Sequence, residues 1–373
     1  MRKILILANN DIGLYKFRRE LIEELLKEYK VYISLPRGEY VKELIDMGCD
    51  FIDTQISRRG TNPIADFRLM IDYYRILRFI KPDIVLTYTI KPNVYGGIIC
   101  RATKTPYISN ITGLGTAVEN GGILQAITLT LYKLALKKSK CVFFQNTENA
   151  DFMISRNIIK GKSRTIPGSG VNLSQFEILE YPSDESINFV FISRVMRQKG
   201  IEQYIEAAEY IKKKYSNVQF HILGFCEEAY EKRLNKLHEQ GIIQYHGLQN
   251  DVREFHKISH CTIHPTYYPE GMSNVLLESA ASGRPIITTN RSGCREILDH
   301  GINGYFVEQQ NSQDLIEKVE RFLELSNEEK RIMGIASREK VEKNFDRQIV
   351  INAYKEEIKN NLVFGDEANE QKT

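Results

Sequence analysis

The feature that most limits what this chain can fold into is an alternation, run through twice in 373 residues, of short apolar stretches and amphipathic ones. KILILA near the start is apolar between polar flanks, as expected of a parallel strand buried on both faces. A helical pattern follows in RRELIEELLKEY, with Leu21, Leu25 and Tyr29 on one face. VYISLP, FIDTQI, DIVLTYT, PYISNITG and CVFFQN read as further strands, separated by helical stretches. One of these, IADFRLMIDYYRILRFIKP, is stopped by Pro82, and another runs from about Ile123 to Lys140. The alternation restarts at INFVFISR and continues through VQFHILG, IIQYHG, CTIHPT, PIITT and GYFV. Strands that alternate with helices predict a doubly wound α/β unit, here two of them. The predicted division is 1–175, 176–345 and a helix from 346 that packs back on the first unit, with a frayed tail to 373. Gly, Ser and Pro gather at 167–186, which places the linker there. Two such sheets facing one another make a cleft, and open α/β sheets bind ligands beyond the carboxyl ends of their strands.

Several classes drop out. No run reaches the roughly 18 apolar residues that span a bilayer. The first residues carry no cleavage pattern, so no signal peptide is expected. The closest two of the six cysteines are Cys261 and Cys294, so no CxxC pair exists and free thiols in a reducing cytosol are expected. No GxGxxG follows a strand, which speaks against a dehydrogenase. No D-x-D occurs, and all seven histidines lie in the second half. The net charge of +3 hides a split. Residues 1–175 hold 26 basic and 16 acidic residues, whereas the rest hold 25 and 32. A first half at +10 hints at an anionic partner.

Two segments carry candidate chemistry. In PEGMSNVLLESAASGRPII, Glu270 precedes a helix and Glu278 sits about two turns into it. Between them Gly271, Met272, Ser273 and Asn274 offer backbone N–H groups at a helix start, where anions bind. A carboxylate at Glu278 is placed to accept two ribose hydroxyls. In SRVMRQKG, directly after the strand INFVFI, Arg194 and Lys199 supply a planar fork and a point charge suited to a diphosphate. Taken singly, the first segment is better read as an ordinary helix start with a solvated Glu, and the second as an exposed basic loop before a helix.

Together these residues resemble the signature of the GT-B glycosyltransferases of family 4: Glu-x7-Glu around GMSNVLL, the Arg and Lys of SRVMRQKG, and the linker stretch TIPGSGVNLSQF. The resemblance implies two Rossmann-like domains across a cleft, the first binding an acceptor and the second a nucleotide-sugar. Arg194 and Lys199 would hold the donor diphosphate. Glu270 would face the donor sugar, with Gly271, Met272, Ser273 and Asn274 contacting it and the phosphates through amides. Glu278 would hold the ribose, while Val252 and Leu248 would line the base pocket. Gly13, in the loop after the first strand, would let the first domain approach the donor phosphates, although the double glycine of many relatives is missing there. IGLYKFRREL, SRRGTNPIADF, TYTIKPNVYG and SNITGLGTA resemble the bacterial subgroup that builds capsule, O-antigen or N-glycan precursors on undecaprenyl diphosphate. On that likeness Tyr15, Phe17, Arg18, Arg58, Arg59, Lys91 and Thr112 would lie on the acceptor side.

The implied reaction retains anomeric configuration, takes a UDP-linked hexose or N-acetylhexosamine as substrate, and needs neither cofactor nor metal. Arg194, Lys199 and helix amides would meet the charge on the leaving diphosphate. No first-half acid stands out as a nucleophile, which favours same-face attack with a donor phosphate oxygen taking the acceptor proton. Lys133, Lys137, Lys138 and Lys140 follow the apolar ILQAITLTLY, a pattern that suits peripheral contact with anionic lipid at the cytoplasmic face of the inner membrane. No nucleic-acid motif is present. The alternative is a nucleotide-sugar epimerase of the same fold.

Overall fold

The computed structural model describes residues 1–57 and 62–370, with side chains to residue 362. The chain forms two compact units: Met1–Ser169 with Gln348–Thr373, and Gly170–Arg347. In the first, β1 (Lys3–Leu7), α1 (Asp11–Leu26), β2 (Lys30–Leu35), α2 (Val41–Asp46), β3 (Asp50–Asp53), α3 (Pro63–Ile80) and β4 (Ile84–Tyr88) are followed by α4 (Gly97–Thr103) and β5 (Tyr107–Ile111). Then come α5 (Thr116–Glu119), α6 (Gly122–Leu136), β6 (Cys141–Phe144), α7 (Thr147–Ser155) and β7 (Ser163–Thr165). The second unit runs β8 (Ile187–Ile192), α8 (Ile201–Lys214), β9 (Val218–Leu223), α9 (Glu231–Glu239), β10 (Gln244–Tyr245), α10 (Arg253–Ile258), β11 (Cys261–His264), α11 (Asn274–Ala281), β12 (Ile286–Thr289), β13 (Gly304–Val307), α12 (Ser312–Leu323) and α13 (Asn327–Asn344). Helix α14 (Arg347–Glu370) closes the chain.

The first sheet has the order β3-β2-β1-β4-β5-β6-β7 and the second β10-β9-β8-β11-β12-β13. Every strand pair is parallel. Both are doubly wound sheets of the dinucleotide-fold order, with the winding reversing between β1 and β4 and between β8 and β11. The continuous apolar strands have their cause in this layering. Ile4 and Ile6 face a core shared with Leu21, Leu25 and Tyr354, while Leu5 and Leu7 face Tyr73, Leu77 and Cys100 on the other side. In the second unit Phe189 and Phe191 pack on Tyr204 and Ile205, and Val190 and Ile192 turn the other way.

Several boundaries differ from the sequence reading. Helix α1 starts at Asp11, because Asn10 caps it by accepting from the Gly13 amide at 2.7 Å. Gly13 is therefore inside the first helical turn and not in a loop. Helices α7 and α13 and strand β7 were not expected. The second helix carries a full capping box, Ser326 with Glu329, that its charged composition obscures. The stretch 170–186 is not a free linker. Val171 and Phe176 lie in the core of the second unit, and the fully buried Arg284 donates to the carbonyls of Leu179 and Glu180. Tyr181 in turn donates to the His260 carbonyl at 2.7 Å. All six cysteines are free, and only Cys226 is not fully buried.

Candidate active site

The four loops after β8, β9, β11 and β12 are joined by backbone hydrogen bonds. Ser193 N donates to Leu223 O at 3.0 Å and Val195 N to Phe225 O at 2.9 Å, which ties the first two together. Tyr267 N donates to Gln198 O at 2.9 Å, linking the loops that follow β8 and β11. Ser273 N donates to Gly293 O at 2.8 Å, linking those after β11 and β12. Glycines permit this closeness. Gly200 has φ +81°, and a Cβ there would lie 2.3 Å from the Pro265 carbonyl oxygen.

Arg194 and Lys199 come from the loop after β8, and Glu270 from the loop after β11. They meet where the winding of the second sheet reverses, the place where open α/β sheets take their ligands. Lys199 forms an ion pair with Glu270, and Arg194 with Glu227. Both cations also lie over the Tyr268 ring, Arg194 at 5.2 Å and Lys199 at 4.8 Å from its centroid. Two cations thus share one aromatic platform, each matched to a carboxylate. A bound diphosphate would find both charges within its reach and would compete with Glu227 and Glu270 for them.

Burial alone would raise the Glu270 carboxyl, but the Lys199 charge holds it at about 2. A carboxyl held below its unfolded value adds stability that is complete above about pH 4.5 and is lost as pH falls through about 2. The contribution is on the order of 3 kcal/mol. The gap in urea midpoint between the native chain and Glu270→Gln is therefore expected to close between pH 5 and pH 2. A constant gap across that range would contradict the pairing.

The remaining candidates are placed unequally. Gly271, Met272 and Ser273 are buried just ahead of α11, and Asn274 opens it. The Ser273 amide is already taken by Gly293, so it is not an anion donor, and the Met272 side chain belongs to the core. Glu278 is the fifth residue of α11, one turn in and not two. Val252 packs with Val190, Ile192, Leu223 and Val275 beside the ends of β8 and β9. Leu248 is 66% exposed and joins no such cluster.

In the first unit Lys91 pairs with Asp66 at 2.5 Å, and Tyr95 donates to the same carboxylate at 2.7 Å. Arg18 is buried over the Tyr88 ring, Tyr15 is stacked on Tyr40, and Phe17 and Thr112 are half-buried. Gly13 remains tied to its Asn10 cap. Arg58 and Arg59 lie outside the described residues. Sequence reasoning missed Tyr268, Glu227 and His264. Only Tyr268, two residues before Glu270, carried a positional hint. Among the described residues no three His, Cys, Asp or Glu side chains gather as a metal site requires. Among them no helix is long and apolar enough to cross a membrane.

Two family models match the chain: glycosyl transferases group 1 over residues 176–340 and glycosyl transferase 4-like over residues 3–146. A Campylobacter jejuni relative, the N,N'-diacetylbacillosaminyl-diphospho-undecaprenol alpha-1,3-N-acetylgalactosaminyltransferase, is 25% identical over 340 residues, 86% of this chain and 89% of its own. The Escherichia coli UDP-Gal:alpha-D-GlcNAc-diphosphoundecaprenol alpha-1,3-galactosyltransferase is 24% identical over 281 residues, 70% of this chain and 72% of its own. Among solved structures, HepE of Anabaena in complex with UDP and glucose superposes with a TM-score of 0.76 at 17% identity, covering 96% of this chain and all of that one. The likeness establishes the GT-B fold.

Proposed function

We propose that this chain, which belongs to the family 4 glycosyltransferases of the GT-B fold, moves a hexose or N-acetylhexosamine from a UDP-linked donor to a saccharide carried on a polyprenyl diphosphate. The observation that carries the reading is the convergence of Arg194 and Lys199 on Tyr268, with Glu270 paired to Lys199, at the β8–β11 reversal. Its two cations suit a nucleoside diphosphate, and Glu270 suits the hydroxyls of the attached sugar. The acceptor class comes from the Campylobacter and Escherichia relatives, whose substrates are undecaprenyl-diphosphate saccharides. UDP is supported by the Escherichia relative and by the HepE complex.

In this reading the transfer retains configuration and proceeds without a metal. Arg194 and Lys199 take up the charge that develops on the leaving diphosphate, and a phosphate oxygen of the donor accepts the acceptor proton. Nothing in the site favours the epimerase alternative. A panel of UDP- and GDP-sugars with polyprenyl-diphosphate saccharides, read by mass spectrometry, tests the proposal. Transfer of one sugar from a UDP donor is expected. Turnover of a nucleotide-sugar with no acceptor present would overturn it.

The proposal includes docking on anionic lipid through the first unit. Helix α6 exposes Ile123, Leu124, Ile127 and Leu134, and exposed Lys133, Lys137, Lys138 and Lys140 lie along and beyond its end. On α3, Phe67, Tyr74 and Phe79 are exposed among Arg68, Arg75 and Arg78. Apolar anchors ringed by cations match an anionic headgroup layer. The chain is expected to float with anionic liposomes at low salt and to be released at high salt. Ile123→Asp with Ile127→Asp should weaken that binding at least about tenfold. Flotation that is indifferent to both salt and substitution would remove this part of the reading.

A further inference from the structure

Next to the Lys199–Glu270 pair sits a histidine for which the chemistry above has no use. His264 ends β11 and is 2% exposed, with its Nε2 3.8 Å from Glu270 Oε1. Neither ring nitrogen has a hydrogen-bond partner. The residue is nonetheless held firmly. Its carbonyl accepts from Thr288 Oγ1 at 2.7 Å, and its ring lies against Phe191 with centroids 6.4 Å apart. A buried polar group without a partner costs stability, and an apolar side chain of similar size would fill the space without that cost. The position therefore carries a cost in the resting chain that must be recovered in another state.

We propose that His264 is a positioning residue for Glu270: when the donor diphosphate draws Lys199 out of its ion pair, the Glu270 carboxylate moves about 1 Å and accepts the His264 Nε2–H. The proposal rests on the reading that Glu270 faces the donor sugar. In the resting chain the Lys199 ammonium is bonded to Glu270, and the same ammonium is what a phosphate would seek. An imidazole offers the carboxylate a donor that a phosphate does not displace as a counter-charge. Burial and the nearby Lys199 charge both keep His264 neutral, so it can donate one N–H without adding a second cation. Its rigid place at a strand end then fixes one Glu270 oxygen while the other is aimed at the sugar.

The test uses the full chain with the donor and acceptor that the panel identifies, and UDP alone as the binding probe. His264→Leu should lower kcat by about tenfold or more, since misplacement by about 1 Å can cost a hundredfold. Its KM for the donor and its Kd for UDP should stay within about twofold of native, and its thermal midpoint should be equal or higher. His264→Gln restores a donor and should recover most of the rate. The double variant His264→Leu with Glu270→Gln should be no slower than Glu270→Gln alone, because the histidine acts only through that carboxylate. A His264→Leu chain with kcat within twofold of native, beside a slow Glu270→Gln, would overturn the positioning role alone. A rate loss in His264→Leu that merely tracks weaker UDP binding and a lower midpoint would overturn it equally. A Glu270→Gln chain as fast as native would overturn the reading of Glu270 itself.

Discussion

Transfer is expected to fall at least about a thousandfold in both Lys199→Ala and Glu270→Ala, for different reasons. A single preorganised charge aimed at a developing anion is worth about 10²–10³ in rate. Lys199 also contributes to holding the diphosphate, and a hydrogen bond to a charged group adds about 1.5–3 kcal/mol. Lys199→Ala should therefore weaken UDP binding as well as slow the reaction. Glu270→Ala removes a negative charge beside the diphosphate site, so UDP should bind as well as to native or better while transfer stops. Both variants break a largely buried pair. Leaving one partner behind typically costs 3–5 kcal/mol, so the folded fraction must be measured, and Glu270→Gln serves as the gentler companion. Near-native transfer by both alanine variants in folded protein would remove the site from this position.

The largest structural effect is expected at Gly224, which immediately follows β9. Its φ is +142°, and a Cβ there would lie 1.7 Å from the Ser193 carbonyl oxygen and 2.7 Å from its carbon. Neither atom can retreat easily, because Ser193 N is bonded to Leu223 O and Gly224 N to Gly247 O. Gly224→Ala must push apart the loops that carry Arg194 and Glu227. The second unit should lose about 4 kcal/mol or more, and UDP binding should fail in whatever remains folded. Gly241→Ala is the control. It too has a positive φ, +68°, but its Cβ would meet nothing within 4 Å. It should cost only the backbone strain of about 1–2 kcal/mol. Thermal unfolding of the two variants separates contact from conformation, and equal midpoints would contradict the close approach.

The strands were readable because a sheet covered on both faces leaves no polar alternation, as KILILA and INFVFI show. Arg194, Lys199 and Glu270 were readable only jointly: each segment alone is an ordinary basic loop or helix start, and the two together carry the resemblance. Their partners were not. Glu227 lies 33 residues from Arg194, and its pairing exists only once β8 and β9 lie side by side. His264 reads as one more residue of a buried strand, and its meaning depends on the Glu270 side chain folding back beside it. The helix start at Asp11 was missed because the Asn10 cap acts before any apolar period begins. The Ser273 amide looked available because its acceptor, Gly293, belongs to a loop 20 residues on.

The first unit is discontinuous in sequence: Val350, Ile351, Tyr354 and Ile358 of α14 complete the core that Ile4, Ile6 and Leu25 begin. The Asn110 amide donates to the Tyr354 hydroxyl at 2.5 Å, which joins the last helix to β5. During translation the order of completion must therefore invert the order of emergence. Residues 170–347 form an uninterrupted unit that can close as it leaves the ribosome, whereas the earlier-made sheet waits for α14, with α1 and α2 covering only part of that face. A nascent chain arrested before residue 350 would present that apolar surface to chaperones and proteases, so the emergence of α14 is itself the step that finishes the N-terminal unit.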